Sequence, residues 1–185
     1  MINLLYVIVG NTCSGKTTLQ KELVKLTGVK PLVTYTNRPM RENEVEGEDY
    51  FFISTKEIEN PMYVNKRYFY TVNDVKPYIY GIHYDDLQDT ESKIAVLDPQ
   101  GVHNLRNLVS QDDLKVMYLD IPEKIIKDRA KLRGDSEEEI ERRLRDDRDG
   151  FEDIKESCDL ILTPLSGDIT GKAYKFIQGS EENEL

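Results

Sequence analysis

Continuous apolar runs alternate along the chain with stretches whose apolar residues recur at helical spacing. Four runs are uninterrupted and predict buried strands: 4–9, 94–97, 116–119 and 160–162. Helical spacing predicts helices at 17–26, 123–132, 136–149 and 170–177. Uninterrupted apolar strands are typical of parallel sheets that are buried on both faces. The alternation therefore predicts an α/β fold with a parallel sheet flanked by helices.

Two segments depart from this alternation. Residues 34–84 are rich in Tyr, Phe, Asn and Arg and contain turn-like stretches, so we interpret them as an inserted, mostly antiparallel subdomain. Residues 125–148 are densely charged and are interpreted as a mobile helical flap, in which Ser136 and Glu139 have capping-box spacing. The remaining segments are expected to form the core of one domain: 1–33, 85–124 and 149–185.

The composition excludes several classes of protein and leaves the predicted α/β fold unchanged. The chain has 185 residues and a formal net charge of −10, which disfavours nonspecific binding to nucleic acid. No apolar run approaches the roughly 20 residues of a membrane-spanning helix. Two cysteines cannot by themselves build a disulfide framework or a four-ligand zinc cluster. We expect a cytoplasmic monomer or homodimer with no nucleic-acid or membrane partner.

The first apolar run leads into a glycine-rich loop of the pattern G-x-x-x-x-G-K-[ST]. Such a loop turns its backbone N–H groups toward phosphate oxygens, and the following helix N-terminus favours negative charge. Lys16 would contact the outer phosphates, and Thr17 is placed to bind Mg²⁺. The alternative is an ordinary strand–turn–helix. The predicted nucleotide-binding residues are Gly10, Asn11, Thr12, Cys13, Ser14, Gly15, Lys16, Thr17 and Thr18.

Asp98 ends the second apolar run and has two interpretations. A carboxylate at that position can hold Mg²⁺, directly or through water. It can equally cap a helix or turn that begins at Pro99. The sequence alone leaves both open. Cys13, inside the glycine-rich loop, is read as a small filler residue whose oxidation would hinder nucleotide binding.

A second anion site is indicated in the inserted segment. Arg38 and Arg41 lie three residues apart with tyrosines nearby, an arrangement that suits a phosphate dianion. The alternative is a solvated loop in which these arginines pair with the many local glutamates.

The guanylate kinase family has a signature that is similar to the stretch Thr36-x-Arg38-Pro39-x-Arg41-x-x-Glu44-x-x-Gly47-x-Asp49-Tyr50-x-Phe52. Further blocks follow in the order found in that family: Tyr80-Gly81, Leu97-Asp98, Gln100-Gly101-Val102, Arg133-Gly134, Ser136-Glu137-Glu138 and Arg143-Leu144. Together these blocks cover nearly the whole chain.

The resemblance implies a P-loop NTPase core with an inserted subdomain that binds a nucleoside monophosphate and a helical lid. It implies transfer of the γ-phosphoryl group of Mg-ATP to GMP or dGMP. The implied catalytic residues are Lys16, Arg38, Arg133 and Arg143. The implied Mg²⁺-binding residues are Thr17 and Asp98. The positions implied at the acceptor site are Thr34, Arg38, Arg41, Glu44, Tyr50, Tyr70, Tyr80, Ile82 and Asp98.

The chain departs from the family at the positions expected to contact the base. Tyr70 stands where the family has a glutamate that contacts guanine, and Ile82 stands where it has Ser or Thr. The alignment is loose between residues 55 and 80, so Asn73 or Asp74 is an alternative candidate for the missing role. A site that lacks a hydrogen-bonding group discriminates poorly, so the acceptor base is open.

Three readings of function follow. The first is a guanylate kinase, and the second is a related nucleotide kinase with shifted base specificity. The third is a noncatalytic guanylate-kinase-like module that binds proteins; such modules tend to lose the loop lysine, whereas Lys16 is present here. A kinase acting on a non-nucleotide is disfavoured by Arg38, Arg41 and Tyr50.

Overall fold

A computed structural model describes residues 3–70 and 76–182. The strands are β1 (Leu5–Gly10), β2 (Lys30–Pro31), β3 (Tyr35–Thr36), β4 (Phe51–Phe52), β5 (Tyr63–Phe69), β6 (Tyr78–His83), β7 (Lys93–Val96), β8 (Leu114–Leu119) and β9 (Leu160–Leu162). The α-helices are α1 (Lys16–Thr27), α2 (Thr55–Ile58), α3 (Pro99–Leu105), α4 (Glu123–Leu132), α5 (Glu137–Ser157) and α6 (Ile169–Glu182). None of these helices is both long enough and apolar enough to cross a bilayer.

The central sheet has five strands in the order β2-β7-β1-β8-β9, and all its pairings are parallel. Alternate residues of β1 enter two separate cores. Tyr6 and Ile8 pack with α1 and α6 on one face, whereas Val7 and Val9 pack with α3 on the other. All six residues of β1 are buried, which explains why its sequence is continuously apolar. The predicted α/β class with a flanked parallel sheet is confirmed.

Helix α5 is longer than predicted and crosses from one face of the sheet to the other. Ile140 and Leu144, near its start, belong to the core around α1, whereas Phe151 and Ile154 belong to the core around α3. The predicted end at residue 149 is therefore wrong, and the helix continues to Ser157. Gly150 does not interrupt it; an added Cβ there would contact Pro99 at 3.4 Å.

A second, smaller sheet is formed within residues 34–84, in the order β4-β3-β6-β5. Two of its pairings are antiparallel, and β3 with β4 is parallel. One face covers a small core of Ile58, Tyr63 and Ile79. The other face looks toward the central sheet, with Ile82 packed into the core around α3. The exact division into core, inserted subdomain and lid stays a prediction.

Candidate active site

The glycine-rich loop between β1 and α1 has the backbone shape of an anion-binding nest. Gly10 lies so close to β8 that a Cβ there would be 2.7 Å from the carbonyl oxygen of Leu119. Cys13 has a φ of 55° and Gly15 a φ of 103°, both in the left-handed region. Left-handed residues at these positions turn successive N–H groups to one side, as anion binding requires. The loop therefore has the conformation that its sequence predicts.

The side chain of Lys16 lies across the mouth of this loop. Its Nζ donates hydrogen bonds of 2.7 Å to the carbonyl oxygens of both Gly10 and Asn11. An ammonium group in this position can transfer those bonds to phosphate oxygens, because it carries three donors on a flexible stem. Ser14 is 2% exposed, and its Oγ has no hydrogen-bond partner among the described residues. The loop thus contains a buried polar group available to a ligand.

Thr17 and Asp98 were the residues predicted to bind Mg²⁺. Thr17 lies exposed in the first turn of α1. Asp98 is the N-cap of α3: its Oδ1 accepts a 2.7 Å hydrogen bond from the N–H of Gly101 and lies 3.4 Å from Nη1 of Arg67. The capping interpretation of Asp98 is what the structure shows, and its metal role stays a prediction. No group of three metal-ligating His, Cys, Asp or Glu side chains occurs in the described parts of the chain.

An open cleft of about 570 Å³ lies beside the glycine-rich loop. This volume is in the range of small-molecule sites. Helix α4 covers one side of the loop with Arg129, whose Nη1 donates to the carbonyl oxygen of Ser14 at 2.7 Å. The sequence does not single out Arg129, because only the fold shows which arginine of the charged segment reaches the loop. The cleft is lined by residues that include Cys13, Gly15, Thr18, Arg129, Arg133 and Thr170.

Arg38 is the centre of the second predicted anion site. It is 7% exposed, and its guanidinium donates to the hydroxyl of Tyr80 at 3.0 Å and to Glu44 at 2.7 Å. It also stacks on Tyr50, at 5.4 Å from the ring centroid. Burial lowers the pKa of Arg38, but the hydrogen bonds and charge interactions with Glu44 and Tyr80 together outweigh it, and the net shift is upward. The guanidinium is therefore held in one position with a permanent charge.

Glu44 connects Arg38 to Arg41. Its second carboxylate oxygen accepts the backbone N–H of Arg41 at 2.8 Å, while the Arg41 side chain is 58% exposed. Burial raises the pKa of Glu44, yet the hydrogen bonds from Arg38 and Arg41 outweigh it and lower the pKa overall. Tyr50 and Tyr80 pack edge to face at 5.6 Å beside Arg38. The structure thus brings together five predicted acceptor residues: Arg38, Arg41, Glu44, Tyr50 and Tyr80.

This acceptor cluster is tied directly to the helix that follows the glycine-rich loop. Lys21, in α1, donates to Oδ1 of Asp49 at 3.0 Å. The other carboxylate oxygen of Asp49 accepts the backbone N–H of Val45 at 2.9 Å. A short polar path therefore links the segment of Arg38 to the element that begins at Lys16.

The residues predicted to contact the base are arranged differently from the phosphate cluster. Tyr70 is 65% exposed, and Ile82 is 1% exposed within the core around α3. Thr34 is buried just before β3. Asn73 and Asp74 lie outside the described residues. Two buried polar residues that the sequence did not single out, Asn65 and Arg67, lie on β5 where it meets α3.

The two predicted lid arginines both contact carboxylates near the start of α5. Arg133 and Arg143 each contact Oδ2 of Asp135, and Nε of Arg143 donates to Glu139 at 2.7 Å. Hydrogen bonding from Arg142, opposed by burial and reinforced by Arg143, lowers the pKa of Glu139 to about 2. A transferring phosphoryl group would have to replace these carboxylates as the partner of the arginines.

A model of the guanylate kinase family matches residues 3–179 of this chain. The chain belongs to the guanylate kinase family. Guanylate kinase from Polaromonas sp. is 28% identical over 167 residues, which is 87% of this chain and 80% of that protein. Guanylate kinase from Geobacter metallireducens is 32% identical over 148 residues, which is 76% of this chain and 70% of that protein.

The fold of the guanylate kinase family is present over the whole chain. A crystal structure of guanylate kinase from Anaplasma phagocytophilum superimposes with a TM-score of 0.65 and 18% identity. The match covers 99% of this chain and 87% of that one. Membership makes the chain an enzyme of the nucleoside monophosphate kinase class, a phosphotransferase with a P-loop. The predicted family and fold are therefore confirmed.

Proposed function

We propose that this enzyme transfers the γ-phosphoryl group of Mg-ATP to GMP or dGMP, giving ADP and GDP or dGDP. The observation that carries the proposal is the polar connection between two predicted anion sites. The glycine-rich loop with Lys16 is linked through Lys21 and Asp49 to the segment that holds Arg38. Phosphoryl transfer needs little covalent chemistry from the protein, but it needs two anions aligned and their charge stabilised.

Each group of residues at the two sites then has a role in this reaction. Lys16 and the loop N–H groups bind the donor phosphates, and the cleft beside Arg129 takes the nucleoside of ATP. Arg38, fixed by Glu44 and Tyr80, binds the acceptor phosphate together with the exposed Arg41. Arg133 and Arg143 exchange Asp135 and Glu139 for the transferring group when the lid closes. Closure also excludes water, which would otherwise compete as acceptor.

Mg²⁺ fits this site as an ion carried by the nucleotide. The exposed Thr17 offers one hydroxyl oxygen, and phosphate oxygens and water supply the other ligands that Mg²⁺ prefers. Bound there, the ion neutralises charge on the donor phosphates. Asp98 remains a candidate ligand only through the oxygen that does not accept from Gly101.

A related kinase with shifted base specificity is the second candidate, favoured by Tyr70 and Ile82 at the base-contacting positions. A protein-binding module without activity is disfavoured by the intact Lys16 and by the braced Arg38. ATP and a nucleoside monophosphate are the proposed partners.

The deciding experiment is an ADP-release assay with Mg-ATP and each ribo- and deoxynucleoside monophosphate. We expect kcat/KM to be highest with GMP and dGMP. A preference for another monophosphate would support the second candidate. If the folded protein binds ATP but phosphorylates none of them, the kinase proposal is wrong.

A further inference from the structure

A cluster of buried polar groups lies where β5 meets the start of α3. Arg67 is 8% exposed and Asn65 is 6% exposed. Nη1 of Arg67 lies 3.4 Å from Oδ1 of Asp98, and Nδ2 of Asn65 donates to the carbonyl oxygen of Gly101 at 3.1 Å. Nε of Arg67 and Oδ1 of Asn65 have no hydrogen-bond partner among the described residues. A buried donor and a buried acceptor without partners indicate a site that a ligand completes.

The backbone is shaped to place Arg67 in this cluster. Asn65 has a φ of 52°, and the register of β5 against β6 shifts between Val64 and Arg67. A bulge of this kind redirects the side chains that follow it. At the far side, a Cβ on residue 101 would overlap Nη1 of Arg67, so the glycine provides the space for the guanidinium.

The cluster lies on the same face of the small sheet as one of the acceptor-phosphate residues. Arg67 is directly opposite Tyr80 in the β5–β6 ladder, so both side chains lie on one face of the small sheet. The hydroxyl of Tyr80 accepts the hydrogen bond from Nε of Arg38. A monophosphate bound at Arg38 therefore extends its nucleoside along the face that carries Arg67.

The chemistry of the cluster suits a nucleobase better than a second phosphate. A phosphate offers only acceptors and would be repelled by the carboxylate of Asp98 and the amide oxygen of Asn65. A base edge offers donors and acceptors together. Nη1 of Arg67 is directed to Asp98. The opposite edge of the guanidinium is formed by Nε and Nη2. Among base edges, O6 and N7 of guanine are the two adjacent acceptors that arginine binds in a bidentate manner.

We propose that Arg67 is a specificity-determining residue that hydrogen-bonds the O6/N7 edge of a 6-oxopurine monophosphate. Asp98 orients the guanidinium from the core side. This inference rests on the proposed function. It assigns the selection of the base to an arginine that the sequence alone does not single out. Adenine is disfavoured because its 6-amino group is a donor and would face another donor.

The test compares the wild type with Arg67→Lys, Arg67→Met and a matched control, Lys66→Met. Lys66 is the neighbour of Arg67, but its Nζ donates to the carbonyl oxygens of Glu59 and Asn60, within the small-sheet segment. For each protein, kcat/KM is measured with GMP, IMP and AMP at saturating Mg-ATP. The ratio between substrates is independent of the folded fraction of a preparation, so partial unfolding of a variant does not obscure the result.

We expect Arg67→Met to lower kcat/KM by about tenfold to a hundredfold for both GMP and IMP, which share O6 and N7. The value for AMP should change by less than about threefold. Arg67→Lys keeps the charge but loses the paired N–H donors of the guanidinium, so its kcat/KM for GMP and IMP should lie between those of the wild type and Arg67→Met. Lys66→Met should preserve the wild-type ratios of kcat/KM between substrates.

Two results would overturn the inference while the kinase proposal stands. One is an equal loss of kcat/KM for GMP, IMP and AMP in Arg67→Met, which would mean that Arg67 only attaches β5 to α3. The other is a wild type that prefers AMP or a pyrimidine monophosphate. A wild type that is inactive with every monophosphate would instead reject the proposed function, and this inference with it.

Discussion

At the scale of single residues, the site consists of cations placed at fixed points by local backbone geometry and by carboxylates. Lys16 is held by loop carbonyl oxygens, Arg38 by Glu44, and Arg143 by Glu139. In each case the partner is one that a phosphate can replace or supplement. Charge that is already in position costs little reorganisation when the transition state forms.

Replacing Lys16 by Ala should lower kcat by about a hundredfold or more, because it removes a charge at the transferring phosphoryl group. The fold should persist, because Lys16 belongs to neither of the two hydrophobic cores on the faces of the central sheet. The measurement is ADP release at saturating substrates together with circular dichroism. Lys25→Ala, an exposed lysine at the other end of α1, is the matched control. Unchanged turnover in Lys16→Ala would refute the assigned role.

Residue identity alone predicted the phosphate loop, because its requirements are local. The left-handed Gly15 and the close approach at Gly10 are positions at which glycine is needed for backbone reasons. Arg129 and Arg67 could not be found in this way. Their importance depends on which distant backbone each guanidinium reaches, and spacing along the chain contains no such information.

At the scale of elements, α4 and the start of α5 form a charged unit next to the phosphate loop. Ser136 caps α5 by accepting the N–H of Glu139, as its spacing predicted. The Glu139 side chain does not return to the cap; it binds Arg142 and Arg143. The apolar side of the same unit is firmly packed, with Ile126 and Ile140 each at most 2% exposed. Lid motion would therefore involve a helix pair that shares the main core.

The lowered pKa of Glu139 makes this unit sensitive to acid. Its pKa falls from 4.5 to about 2, so Glu139 stabilises the folded state above pH 4.5. That contribution is lost as the pH falls toward 2, where the carboxylate is protonated in the folded protein as well. An NMR titration of the side-chain carboxyl carbon of Glu139 should give a midpoint near 2. A midpoint of 4.5 for Glu139 would contradict the ion pairs.

At the scale of the whole molecule, each of the two sheets carries one predicted anion site. The central sheet carries the phosphate loop at the end of β1, and the small sheet carries Arg38 and Tyr80. The ion pair of Asp98 with Arg67 connects the two sheets, and the ion pair of Lys21 with Asp49 connects α1 to the segment before β4. Ligands that bind both sheets should therefore stabilise the molecule as a unit.

Mg-ADP and GMP together, each at about 100 times its Kd, should raise the Tm by about 10–20 °C. The combination should exceed either ligand alone, because each ligand adds its own binding free energy to the stability of the folded state. Differential scanning fluorimetry measures the shift, with adenosine and guanosine as controls that lack phosphate. No shift with the nucleotides, or an equal shift with the nucleosides, would show that the phosphate sites are not occupied as proposed.

The sequence by itself determined the central sheet, the helices on its faces, the phosphate loop and the family. These features depend on periodicity and on local backbone requirements, which a chain shows without its fold. The tertiary structure decided that α5 crosses both cores, that Asp98 caps α3, and that Ile82, Asn65 and Arg67 are buried. Those outcomes depend on a strand bulge and on contacts between residues more than 30 positions apart, such as Arg67 with Asp98. Arg67, the residue proposed to select the acceptor base, is found through such contacts, and therefore the fold, more than the motif, locates the residue to test.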